Sequence, residues 1–459
     1  MKRPFTLLIG VGLAACSMQP HYRRPAPAVP AAWPSDPALR QSEATLPGYD
    51  WHAALADPRL QRLVGQALAH NQDVAVALAN IDAARASYRV QRASLFPELD
   101  ATAGYVHGGG RASSIPGDNF SVGGSIPAYE LDLFGRVRSL TDVQRQKYLS
   151  TVATARATRL TLVASVAEAW ITLAADRSLL AIAQDTARTA GEQVTLTSRR
   201  VTGGIAPLSD QSQAEIVLTT AQADSARQTT LVAQDINALR LLLGDEPAAT
   251  DLPLGIEDAA ARLGEVPVGL DSSVLLKRPD VVAAEYSLKS ANANIGAARA
   301  ALFPKISLTA ALGVASNALS SLFTAGTFSW SAGAGVDYPI FSAGKGKAGV
   351  ALAKAQRDAA LAQYQKAIQS AFKDVANTLA RRATIDAERT ATRNGLVAAG
   401  ENARLAADRY TGGIASYLDS LTAQQALYTA RRSAANTEAT RAINLVELYR
   451  SLGADTPGE

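Results

Sequence analysis

Two stretches of the chain alternate strictly between apolar and small or polar residues. Ile306, Leu308, Ala310, Leu312 and Val314 are interleaved with Lys305, Ser307, Thr309, Ala311 and Gly313. Phe328, Trp330, Ala332, Ala334, Val336 and Tyr338 are interleaved with Ser329, Ser331, Gly333, Gly335 and Asp337. A period of two predicts strands with one apolar face and one small, polar face. The same texture occurs earlier, at Leu99, Ala101, Ala103 and Tyr105 and, less cleanly, at Phe120, Val122, Gly124, Ile126 and Ala128. Pro127 and a change of phase near Tyr129 predict a bulge or kink there. Each strand has about ten residues, the length that a tilted membrane-spanning strand requires.

The rest of the chain has a helical texture, rich in Ala, Leu, Gln, Arg, Thr and Glu. Phe134 to Thr202 contains no proline, and only Gly135 and Gly191 interrupt it. Ala343 to Thr411 is likewise free of proline. Each stretch predicts a helix of roughly 65 residues, about 100 Å at 1.5 Å per residue. Val163, Val166, Trp170 and Leu173 form one apolar seam, and Val152, Leu162, Val166 and Leu173 a second. Two overlapping seams predict a neighbour on both sides, where a single coiled-coil hairpin needs only one. Gly203-Gly204 and Gly412-Gly413 mark turns, after which second helical runs over Leu208–Leu243 and Tyr417–Leu452 fold back antiparallel. Gly244 and Gly453 read as helix stops.

These textures come twice. Ser94-Leu95-Phe96-Pro97 returns as Ala301-Leu302-Phe303-Pro304, and Asp73-Val74 as Asp280-Val281, both 207 positions on. Arg200-Val201-Thr202-Gly203-Gly204-Ile205 returns as Arg409-Tyr410-Thr411-Gly412-Gly413-Ile414, 209 positions on. The period is too long for a solenoid, so the chain is an internal two-fold repeat. Residues 51–255 and 256–459 each supply a helix, two strands and a long helical hairpin.

The first fifty residues differ from the repeats. Lys2 and Arg3, the apolar stretch Thr6 to Leu13, and Leu13-Ala14-Ala15-Cys16 predict a signal peptide over 1–15 with a lipoprotein-type cleavage site. Cys16 would then be the acylated first residue. It is the only cysteine, which excludes a disulfide and a cysteine metal site. Ser17 follows it, and by resemblance to bacterial lipoproteins this favours the outer membrane. Residues 16–50 hold seven of the twenty prolines and predict an extended tether.

Charge and chemistry narrow the function. The net charge is +4 with no basic cluster beyond pairs such as Arg199-Arg200, which gives nucleic-acid binding little support. His21, His52, His70 and His107 are scattered without metal-ligand spacing. Ser342-Ala-Gly-Lys-Gly-Lys347 lacks the first glycine and the final hydroxyl of a phosphate loop, and reads as a connection from strand to helix. No catalytic centre, cofactor or metal is expected.

Four strands cannot close a barrel, and an open edge in lipid costs several kcal/mol for each unpaired backbone group. Several copies must then share one barrel. Three copies give twelve strands, wide enough for a wet lumen, and six helical hairpins side by side. The expected fold is mainly α with a membrane β-barrel part: a trimeric twelve-stranded barrel continued by a long periplasmic helical barrel. The rival is a lipid-anchored periplasmic coiled-coil adaptor or scaffold without a pore.

The lipobox and proline-rich tether, Asn71-Gln72-Asp73-Val74, Arg278-Pro279-Asp280-Val281, the two Phe-Pro elements, Glu130-Leu131-Asp132-Leu133-Phe134-Gly135 and the Tyr410 Gly-Gly turn together resemble a known family. It is the lipoprotein outer membrane factors of bacterial efflux systems, the OprM-like and NodT-like branch of the TolC-like superfamily. The resemblance implies a homotrimeric channel in outer-membrane lipid, passively conducting small molecules such as drugs. Its implied partners are a periplasmic adaptor and an inner-membrane pump, commonly of the resistance-nodulation-division class. It places the hairpin tips, at Gly203, Gly204, Gly412 and Gly413, at the periplasmic entrance and adaptor contact. Tyr410 and Asp419 match the residues that constrict that entrance, and Asp210 is the repeat equivalent of Asp419. Three departures bear on how it closes: Thr422 stands where some relatives have a second aspartate, Ala415 where some have an arginine, and Val201 replaces the tyrosine in the first half.

Overall fold

The computed structural model describes residues 17–27, 29–30, 51–109, 117–264 and 272–453. The predicted signal peptide, Cys16 and all of 31–50 lie outside them. The helices are α1 (Trp51–Ala54), α2 (Pro58–His70), α3 (Gln72–Ala93), α4 (Arg136–Thr202), α5 (Leu208–Leu243), α6 (Ile256–Ala260), α7 (Pro279–Ala300), α8 (Lys345–Thr411) and α9 (Tyr417–Leu452). The strands are β1 (Asp100–Gly108), β2 (Gly117–Glu130), β3 (Lys305–Ser316) and β4 (Phe328–Asp337). The repeat is legible in the lengths: α4 and α8 each have 67 residues, and α5 and α9 each have 36. Among the described residues no helix is long and apolar enough to cross a membrane.

The chain forms two compact units, each drawn from both repeats. The first, Met1–Ala26, Ala79–Val152 and Ala283–Lys366, holds the sheet. Its four strands are antiparallel in the order β1-β2-β3-β4. Directly opposed residues share a face, and the register sorts the faces by polarity. Ile306 opposes Val336, Leu312 opposes Trp330, and Val314 opposes Phe328. On the other face Ser307 opposes Gly335, and Thr309 opposes Gly333. Val122 opposes Val314, and Ala103 opposes Val122, so the apolar face continues across all four strands. The register shifts between Ile126 and Tyr129, which puts both side chains on the apolar face despite their odd spacing. The bulge expected at Pro127 is there. Tyr105, Leu312, Phe328, Trp330 and Val336 are all exposed.

In this unit α4 starts on a carboxylate. Asp132 accepts from the backbone N–H of Val137 and Arg138 at 2.9 and 2.8 Å, satisfying donors that a helix start leaves orphaned. Further along, Ser150 donates to the carbonyl of Ala283 on α7 at 2.9 Å. Residues 17–26 have no regular structure and are docked. Arg24 grips Glu285 with two bonds of 3.0 and 2.7 Å, Tyr22 donates to the same carboxylate, and Asn292 donates to the carbonyl of Pro20.

The second unit, Pro27–Leu78, Ala153–Val282 and Ala367–Glu459, holds most of the helical hairpins. The seam predicted through Val163, Val166, Trp170 and Leu173 is fully buried. Trp170 donates its indole N–H to the carbonyl of Asp251 at 3.0 Å and lies beneath Arg59, which pairs with Asp57 and Asp258. α5 and α9 both end on a left-handed glycine, Gly244 (φ 72°) and Gly453 (φ 69°), as expected. Space as well as φ demands glycine: a Cβ at Gly244 would lie 2.7 Å from the carbonyl oxygen of His70, and one at Gly453 2.7 Å from Cγ of Arg278.

Candidate functional site at the hairpin tips

The two hairpin turns are built alike. The second glycine of each pair takes a left-handed conformation, Gly204 with φ 74° and Gly413 with φ 73°, which a side chain disfavours. The N–H of Ile205 returns to the carbonyl of Arg200, and that of Ile414 to the carbonyl of Arg409, both at 2.9 Å. These bonds close the helix ends. They also push Ile205 and Ile414 outward, each nearly three-quarters exposed, beside exposed Leu208 and Leu418.

Beneath the turns lies a small core. Tyr410, Tyr417, Leu421 and Ala214 are buried together, with Val194, Leu196 and Val217 around them. The rings of Tyr410 and Tyr417 meet edge to face, 5.3 Å between centroids and 60° between planes, a favoured aromatic geometry. Arg200 of the first repeat covers the Tyr410 ring at 4.6 Å and donates to the Tyr410 carbonyl at 3.4 Å. That guanidinium ties the two hairpins of one chain together at their tips. Burial, with the neighbouring Tyr410 and the charge of Asp210, pushes the Tyr417 hydroxyl up to about 12. The buried Tyr410 hydroxyl makes no hydrogen bond.

The two aspartates differ although they are repeat equivalents. Asp419 completes a capping box: its N–H bonds to Oγ of Ser416 at 3.2 Å, while its carboxylate accepts from the Ser416 N–H and hydroxyl at 3.3 and 2.9 Å. In the first repeat Pro207 occupies the place of Ser416 and offers no side-chain cap. Asp210 therefore has no such partner and stands, half-buried, close enough to Tyr417 to act on its hydroxyl. Tyr410, Asp210 and the four glycines thus converge on one tip. Asp419 is exposed at the same tip but held by its own helix. The sequence reading missed Arg200 and Tyr417; the repeat of Arg200 as Arg409 was the available signal.

A second set of residues explains a motif that the sequence left without a role. Asn71 donates to the carbonyl of Leu242 at 2.9 Å, and Arg278 to the carbonyl of Ser451 at 2.5 Å. These are repeat-equivalent bonds, closing the carbonyl ends of α5 and α9. Among the described residues no cluster of metal-binding side chains occurs.

Comparison with known proteins agrees on one family. The family model for outer membrane efflux protein matches residues 63–245 and 270–454. The toluene efflux pump outer membrane protein TtgC of Pseudomonas putida is 40% identical over 455 residues, 96% of this chain and 93% of the relative. The antibiotic efflux pump outer membrane protein ArpC of Pseudomonas putida matches to the same extent. A membrane protein of Pseudomonas aeruginosa superposes with TM-score 0.88 at 37% identity, covering 95% of this chain and 100% of that one. The open-state outer membrane channel MtrE of Neisseria gonorrhoeae gives 0.86 at 36% identity, covering 95% and 98%.

Proposed function

The chain belongs to the outer membrane efflux protein family, and from that premise we propose how it works as the outer-membrane channel of an efflux pump. Membership removes the rival reading of a pore-less periplasmic adaptor.

The working unit is a homotrimer. The observation that carries this is the sheet: among the described residues β1 and β4 are bonded on one side only, while the apolar face runs unbroken across all four strands. Unpaired edges cannot stay in hydrocarbon, and three copies close a twelve-stranded barrel. The apolar face then meets outer-membrane lipid, and the Ser, Thr and Gly face lines a wet lumen. Acylation at Cys16 adds an anchor beside the barrel. The segment that follows it, before Ala26, is docked on α7.

The hairpin tips form the periplasmic entrance. Ile205, Ile414, Leu208 and Leu418 offer apolar contact to a periplasmic adaptor, which couples the channel to an inner-membrane pump of the resistance-nodulation-division class. Tyr410 and the aspartates Asp210 and Asp419 narrow and gate the opening. A ring of carboxylates there favours cations. The cargo is small molecules, and the toluene and antibiotic efflux named for the two relatives supports a range of apolar and amphiphilic compounds. No step in passage needs catalysis. Purified protein in planar bilayers should open water-filled, cation-preferring pores; bilayers that stay silent under every voltage would refute the reading.

A further inference from the structure

We propose that the end of α3 nearest the sheet, at Arg89 and Arg92, binds the headgroup of an anionic phospholipid in the periplasmic leaflet of the outer membrane. This rests on the reading of the sheet as the membrane-spanning part and adds a lipid site at its periplasmic rim.

The template is the repeat-equivalent helix, α7, where the chain's own N-terminal segment lies along one stripe. Asn292 donates to the carbonyl of Pro20 at 2.8 Å, and Arg299 to the carbonyl of Met18 at 3.3 Å. Between them Gly296 leaves room: a Cβ there would lie 2.9 Å from Cα of Gln19. Met18 stands two positions after Cys16, so this stripe carries the backbone that leads to the expected acyl chains.

A shift of 207 positions moves the stripe from Asn292, Gly296 and Arg299 to Arg85, Arg89 and Arg92 on α3. One N-terminal segment fills one of the two stripes, and the stripe on α3 is exposed along its length. It cannot take a backbone in the same way, because Arg89 stands where Gly296 keeps the space clear. Arg85 is already engaged, 3.3 Å from Asp82 and 5.7 Å over the Tyr148 ring. Among the described residues Arg89 and Arg92 have neither an ion pair nor a hydrogen bond. Three positions apart on a helix, they share a face. The helix dipole favours a cation in the last turn, which accounts for Arg92 but not for Arg89 before it.

Height along the molecule selects the ligand. All four strands join their long helices at one end of the sheet: β1 and β3 follow α3 and α7, while β2 and β4 precede α4 and α8. That end is the periplasmic rim. Arg92 is in the last turn of α3, shortly before β1. Beyond it, exposed Leu99 and Tyr105 lead onto the lipid-facing side of the sheet. Two unpaired guanidiniums below an apolar surface suit a molecule with a phosphate head and acyl tails. A guanidinium takes phosphate oxygens with paired N–H donors, and basic residues at the interface are drawn to anionic headgroups. The lipid would do on α3 what the acylated segment does on α7, with its polar end on the helix and its chains along the sheet.

Native mass spectrometry of the full-length protein in detergent tests this, with dioleoylphosphatidylglycerol and dioleoylphosphatidylcholine offered in turn. One phosphatidylglycerol per chain should be retained, and phosphatidylcholine should not. Arg89→Gln with Arg92→Gln should weaken retention about tenfold or more, and should leave the circular dichroism spectrum unchanged because both side chains are exposed. Lys345→Gln with Lys347→Gln removes the same charge at the start of α8 and should leave retention unchanged. Equal loss in the two double variants, or equal retention of the two lipids, would overturn the site. Displacement by millimolar inorganic phosphate would make it a site for the free anion and overturn the lipid assignment. A protein that takes up neither detergent nor lipid would overturn the membrane reading itself.

Discussion

The guanidinium of Arg278 donates to the carbonyl oxygen of Ser451 at 2.5 Å, joining the start of α7 to the end of α9. Its other nitrogens hold Asp280 at 3.1 and 2.8 Å, so a nearly buried cation is paired as well as bonded. Losing a charged donor at a buried carbonyl removes about 1.5–3 kcal/mol. Arg278→Ala is therefore expected to lower the denaturation midpoint more than Arg278→Gln, which keeps a neutral donor whose bond contributes about 1 kcal/mol. Chemical denaturation followed by circular dichroism compares the two. Equal losses would mean that the charge adds nothing.

The Tyr410 hydroxyl is buried without a partner, whereas its ring is packed by Arg200 and Tyr417. Tyr410→Phe should then leave stability unchanged or raise it, since a buried polar group without a bond is a cost. Tyr410→Ala should cost about 3–5 kcal/mol locally, as large aromatic truncations do, and should raise single-channel conductance. A Phe variant as impaired as the Ala variant would mean the hydroxyl is bonded in the working assembly.

Asp419 can act through its cap, its charge, or both, and two substitutions separate these. Asp419, the third residue of α9, returns its side chain to the Ser416 N–H, a bond that an Asn oxygen can still accept and an Ala cannot. Asp419→Asn should keep thermal stability, and Asp419→Ala should lose it. If the carboxylate also serves the entrance, both variants should lose cation preference in bilayer recordings. Unchanged selectivity in both would confine Asp419 to its capping box, leaving Asp210 as the carboxylate at the tip.

Asp176 on α4 and Asp235 on α5 are close enough for their carboxyls to act on each other. Burial, then the charge of Asp176, pushes Asp235 up to about 7; burial also raises Asp176. A carboxyl raised in the folded state contributes stability that is full below its unfolded value, near 4, and lost as pH climbs through about 7. The hairpin should thus be tighter at pH 5 than at pH 8. Asp235→Asn should flatten that dependence, read by hydrogen exchange along α5. The repeat equivalents are Ile385 and Asn444, so the fold itself does not require the acid pair.

Much of this was legible in the sequence because it is periodic. Alternation at Phe328–Val336 located a strand, proline-free runs located α4 and α8, and Gly244 and Gly453 marked where helices stop. Pro127 betrayed a bulge because proline cannot donate to a ladder. What escaped were contacts between segments far apart in sequence. The return of Arg200 as Arg409 marks the position, but not that Arg200 will cover Tyr410, 210 positions away. Nothing in the proline-rich segment says that Arg24 will find Glu285, since composition reports the lack of helix but not docking. Resemblance makes Asp419 a gate residue; its bond to Ser416 is hidden in a capping-box pattern four residues long.

That other copies finish the sheet is checked by counting them. Multi-angle light scattering, corrected for bound detergent, on the purified full-length protein is expected to give three chains per particle. A folded, detergent-bound particle of a single chain would contradict it.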